Sequence, residues 1–199
     1  IAFFLTFVVW FNLAPLATTV KADLGLTVGQ IRTVAICNVA LTIPARVLIG
    51  MLLDKFGPRI TYSSILVFSA IPCLLFASAQ DFNQLVVARL LLSIVGAGFV
   101  IGIRMVAEWF PPKEIGLAEG IYGGWGNFGS AFSALTMVAL AGLLSFSGGF
   151  ELPTGAVLNW RGAIALTGIV SAIYGIFYFF NVTDTPPGKT YQRPAETAG

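Results

Sequence analysis

The 199-residue sequence contains no histidine, only two cysteines, and charged residues at just 10% of its length. Each shortage excludes something. Without histidine the commonest metal ligand and the commonest general base are missing. No cluster of acids takes their place, so neither a metal centre, nor a cofactor site, nor an enzyme's catalytic constellation is expected. Cys37 and Cys73 both sit inside apolar runs, AICNV and IPCLL, where a thiol packs as a small hydrophobe rather than entering a disulfide or a metal site. A soluble domain carries about 25% charged residues. At 57% hydrophobic residues and a mean hydropathy of +0.88, this chain is built for a bilayer and surrounded by membrane lipid. A net charge of +2 is too small to argue for a nucleic-acid partner.

Six apolar segments are present, near 2–20, 31–53, 60–77, 85–110, 116–144 and 160–180, each close to or above the roughly 20 residues that cross a bilayer. Short connectors carry most of the charges, and no ten-residue alternating strands suggest a barrel. The prediction is an all-α membrane protein with a six-helix bundle over 1–180. The tail, TDTPPGKTYQRPAETAG, is polar and Pro-rich, so 181–199 is predicted to be a linker. The first apolar segment starts without a charged leader and Ile1 is not a methionine, so the chain reads as a fragment of something longer. Pro15, Pro44 and Pro72 are expected to kink their helices. Trp10, Trp109 and Trp160 are expected at the membrane interfaces.

The fifth segment opens with GLAEGIYGGWGNFGSAFSA, which holds six glycines, Gly116, Gly120, Gly123, Gly124, Gly126 and Gly129, and one amide, Asn127. Inside a bilayer such a run stays helical, because its backbone must satisfy itself, and the missing side chains admit a neighbouring helix or a ligand. Gly120 and Gly124 have the spacing of a tight helix contact. Arg46 lies eight residues before Asp54, about 12 Å of helix rise into its segment. Asn127 lies eleven residues from Gly116, and Phe99 eleven before Phe110, each about 16 Å deep. A guanidinium, an amide and an aromatic face thus reach similar depth on three helices, where transporter sites lie. No acid sits at that depth to neutralise Arg46. Its planar fork therefore calls for a small anion with acceptor oxygens. Nitrate and nitrite fit, as do chloride, formate or a small carboxylate.

The window Gly50-Met-Leu-Leu-Asp54-Lys55-Phe-Gly57-Pro-Arg59 resembles the loop signature of the major facilitator superfamily, GxLxD[RK]xGxR. Arg89 with Gly96 and Gly98 is similar to that family's fourth-helix arginine–glycine pattern, at a wider spacing. The resemblance implies a twelve-helix fold of which this chain is the N-terminal half, with the C-terminal six-helix half as its partner. It also places the Gly57 turn and both ends of the bundle on the cytoplasmic face of the cell membrane; charge counting alone leaves the orientation open. Gly123-Gly-Trp-Gly-Asn127-Phe-Gly129 resembles the fifth-helix signature of the nitrate/nitrite porters in that superfamily. That likeness implies alternating-access transport of nitrate and nitrite. Arg46 would hold the anion, Phe99 cover one face of it, and Asn127, Gly124 and Gly126 shape its cavity. A transporter of another small anion, or an exporter of drug-like molecules, is the competing expectation. Gly50, Asp54, Gly57 and Arg59, with Arg104 and Glu108 on the fourth helix, are implied to gate the two conformations. Read without the family, Arg104 and Glu108 are also an ordinary (i, i+4) ion pair.

Overall fold

In the computed structural model, which describes residues 1–189 and 191, apolar helices run the length of the chain. Five continuous helical stretches are long and apolar enough to cross a membrane: Ala2–Asp23, Val28–Ser78, Phe82–Trp109, Ile115–Ser147 and Trp160–Asn181. The second of these is two spans. At Gly57 the backbone leaves the helical region (φ 82°, ψ 167°), a conformation open to glycine and costly for other residues. Pro58, which needs no helical donor in the first turn, then starts the next helix. The stretch folds back at that point, because its two outer pieces, Val28–Ala40 and Ala70–Ser78, both pack against Phe82–Ser93. Residues 28–56 and 58–78 are therefore the second and third of six spans, as the hydropathy pattern predicts.

Three of the spans break close to their prolines. The first passes through a 3-10 turn at Ala14–Leu16, around Pro15. The second breaks at Leu41, three residues before Pro44, and the third at Ser69, three before Pro72. Each proline lacks an N–H and crowds the preceding turn, so the helix yields just ahead of it.

Inside a bilayer apolar burial alone does not hold helices together, because lipid is as apolar as leucine. Close packing and internal polar contacts do so instead. The first span packs most extensively on the fifth. Gly126 and Gly129 make this possible: a Cβ at Gly126 would run into the Phe3 ring, and one at Gly129 into the Phe4 carbonyl. The Gly120–Gly124 pair does not form the expected tight contact, since a Cβ at either would meet nothing within 4 Å. The fifth span is the least covered, with 22% of its most apolar window buried against 56% in the first and fourth.

The end opposite Gly57 is closed by loops. A small antiparallel hairpin pairs Phe150–Glu151 with Val157–Leu158. The Trp160 indole donates to Asp23 Oδ2 at 2.8 Å, and Arg161 pairs with the same oxygen at 3.5 Å while donating to the Ala77 carbonyl. Trp160 is 1% exposed and Trp10 8% exposed, so neither is the interfacial anchor expected of it. Their indole N–H groups are satisfied within the bundle, Trp10 by the Asn38 carbonyl at 2.7 Å. Of the segment expected to be a linker, residues 190 and 192–199 lie outside the described residues. Residues 182–189 have no helix or strand and return to the Gly57 turn.

Candidate functional site

Arg46 projects from the second span as an exposed side chain and has no ion pair or hydrogen bond with any described residue. Asn127 is likewise exposed on the fifth span, its amide donating to the Gly123 carbonyl one turn earlier at 2.8 Å. Around it the backbone is bare: a Cβ at Gly120, Gly123 or Gly124 would meet nothing within 4 Å. These three glycines and Asn127 recur at three- and four-residue spacings, so they form one open stripe. Gly126 lies off that stripe, buried under the Phe3 ring. Phe99 is half-buried and joins an aromatic cluster with Phe3 and Tyr122, at centroid distances of 5.6 and 6.5 Å.

Tyr122 is a contributor that no motif or spacing singles out. It stacks on Phe3 at 4.6 Å, its hydroxyl lies 3.0 Å from that of Tyr62, and it donates to the Gly98 carbonyl. Phe99 is thereby held by residues of the first and fifth spans. A cavity of about 310 Å³ lies on the other side of Tyr122, toward the Gly57 end, walled by Phe3, Tyr62, Met105 and Tyr178 among others. Among the described residues its lining includes no Lys or Arg side chain. Arg46 carries a charge that no described carboxylate pairs with. A planar guanidinium with open donors can take a small oxyanion.

The gating residues occupy the Gly57 end. Asp54 is exposed at the end of the second span and Gly50 is half-buried four residues earlier. Arg59 is committed internally: its Nε donates to the Phe179 carbonyl at 2.7 Å and its guanidinium lies 4.5 Å over the Phe179 ring. The Arg59 backbone N–H donates to Asp184 Oδ1 at 2.6 Å. Asp184, which sequence reasoning passed over, therefore caps the third span from the segment after the sixth. Arg104 pairs with Glu108 at 2.9 Å and also lies 5.6 Å over the Tyr191 ring. Tyr191 in turn donates to the Leu53 carbonyl at 3.2 Å. Burial raises the pKa of its hydroxyl above the usual phenol value, with the Arg104 guanidinium pulling it the other way.

Residues 1–199 match the family model of the Major Facilitator Superfamily. The chain belongs to that superfamily. It is 62% identical to the nitrate/nitrite transporter NrtP of Picosynechococcus sp., covering 100% of this chain and 40% of the relative. It is 61% identical to the nitrate/nitrite transporter NrtP of Nostoc punctiforme, covering 97% and 37%. The chain thus spans about two fifths of the length of these curated relatives. Among solved structures it resembles a bacterial homologue of the human lysosomal transporter Spinster, in an inward-facing occupied conformation. That match has a TM-score of 0.72 at 18% identity, covering 94% of this chain and 43% of the other. The likeness establishes the major facilitator fold.

Proposed function

We propose that this chain is the N-terminal half of a secondary transporter that moves nitrate and nitrite by alternating access. The observation that carries the proposal is Arg46: a permanent cation about 12 Å into a membrane span, exposed, and paired with no acid among the described residues. Intramembrane charges are costly and mark functional sites. A guanidinium with no internal partner is satisfied by an anion that accepts from its fork. Arg46 holds the ion, the bare stripe of Gly123, Gly124 and Asn127 admits it against backbone, and Phe99 covers one face. The C-terminal half supplies the opposite wall. The Gly57 turn faces the cytoplasm, with Asp54, Gly57, Arg59, Arg104 and Glu108 at the gate on that side and residues 181–199 leading to the other half. The relatives' names point to the same ions.

The test is ion uptake by the full-length gene product in proteoliposomes. Accumulation of nitrate and nitrite, with chloride and formate competing poorly, supports the proposal. Transport of chloride or formate in place of both oxyanions assigns the site to another small anion.

A further inference from the structure

Arg89 is a second intramembrane cation, and the structure places it in the interior. It is 0% exposed, and no carboxylate among the described residues pairs with it. Its guanidinium instead reaches three other spans. Nη2 donates to Asn12 Oδ1 on the first span at 2.9 Å, and Nη1 to Asn38 Oδ1 on the second at 3.2 Å. Nη1 also lies 3.5 Å from the Trp10 carbonyl, and the guanidinium carbon sits 4.5 Å over the Phe76 ring of the third span. Nε has no partner. Burying a charge among neutral acceptors is costly, so the contacts it makes are the place to look for its role.

We propose that Arg89 is a positioning residue that fixes the register of the second span against the fourth, and through it the place of Arg46. This rests on the reading of Arg46 as the anion ligand; the register itself does not. Asn38 and Thr42 lie one turn apart on either side of the Leu41 break. Their partners Arg89 and Ser93 lie one turn apart on the fourth span, Thr42 Oγ1 reaching the Ser93 carbonyl at a long 3.5 Å. Two rungs therefore straddle the break, and the Arg89 rung is the shorter. Asn38 is also locked to the first span by reciprocal bonds with Trp10, at 2.7 and 2.9 Å. Arg46 is the next residue along the same helix stripe, one turn beyond Thr42. Phe99 follows Ser93 by six residues, just past the 3-10 turn Ile94–Ala97. Released from these rungs, the second span can slip at Leu41. A one-residue slip carries a side chain about 1.5 Å along the helix and about 100° around it, enough to turn Arg46 away from its site. Only a fork bridges Asn12 and Asn38 together, so a lysine cannot replace it.

The test uses the full-length carrier with Arg89→Lys and, in case that variant folds poorly, Asn38→Ala, which removes the rung and the Asn38 amide's bond to the Trp10 carbonyl but leaves the Asn12 bond. In proteoliposomes each should raise KM for nitrate about tenfold or more while changing kcat by less than about threefold, the pattern of lost ground-state binding. Spin labels at Leu48 and Trp109, exposed on the second and fourth spans, report the register directly. Their distance distribution should be narrow in the parent carrier and broaden or shift in both variants. An unchanged distribution overturns the proposal, even if KM moves, because Arg89 then acts by another route. An unchanged KM with a broadened distribution overturns the link to Arg46. If the parent carrier moves neither nitrate nor nitrite, the functional reading fails, and the spin-label distances alone decide whether Arg89 sets the register.

Discussion

Gly124 and Gly129 lie five residues apart on one helix and meet opposite surroundings. A Cβ at Gly129 would strike the Phe4 carbonyl, which belongs to a packed backbone and cannot swing aside, whereas one at Gly124 meets nothing. Gly129→Ala should therefore lower the thermal unfolding temperature of the intact carrier, by an overpacking cost of about 1–3 kcal/mol. Gly124→Ala should leave that temperature unchanged or raise it slightly, since alanine is the better helix former. If Gly124 borders the anion path as proposed, its alanine variant should still fold and yet transport more slowly. A thermal melt and an uptake assay on the same two preparations check both statements. Arg89 shows where residue-scale reading of a sequence stops. Its position, seven residues past the start of the fourth helical segment, does not distinguish a charge at the membrane surface from one enclosed by Asn12, Asn38 and Phe76. That distinction depends on helices from elsewhere in the chain.

At the scale of elements, the spans and their breaks were legible because each has a local cause. Apolar runs of bilayer length give the helices, Gly57-Pro58 gives the turn, and Pro15, Pro44 and Pro72 give the breaks. The contacts that tie elements together were not legible, because they join distant positions. Asp184 meets the N–H of Arg59 across 125 residues of chain, and Trp160 meets Asp23 across 137. The Asp184 cap predicts a graded outcome. Asp184→Ala leaves the first turn of the third span without its acceptor and should destabilise the carrier by about 1 kcal/mol. Asp184→Asn keeps an acceptor oxygen and should cost less. Gly57→Ala should be worse than either on two counts. It forces a side chain to φ +82°, and its Cβ would lie 2.9 Å from Asp184 Oδ1. Melting temperatures should fall from Asp184→Asn through Asp184→Ala to Gly57→Ala.

On the scale of the whole molecule, the fifth span is the most open, and Asn127 stands on its exposed face with Leu117, Ile121 and Leu135 also uncovered. The chain spans about two fifths of its relatives' length. On the proposal that the remaining polypeptide covers this face and leaves an aqueous path beside Asn127, a cysteine placed there should be reachable from water. Asn127→Cys in the full-length carrier should react with a membrane-impermeant maleimide, and saturating nitrate should slow that reaction. Leu135→Cys, two turns further along, should show no protection. Equal protection of both positions would indicate a change of the whole helix rather than occupancy of a site.

The measurement that bears most directly on the central claim is nitrate and nitrite uptake by the full-length carrier and its Arg46→Lys variant, side by side in proteoliposomes. Lysine keeps the charge and loses the planar fork. If the Arg46 fork holds the anion, the parent accumulates both ions and the lysine variant retains its fold and abundance while losing nearly all uptake. Uptake that is undiminished in the lysine variant would contradict the account.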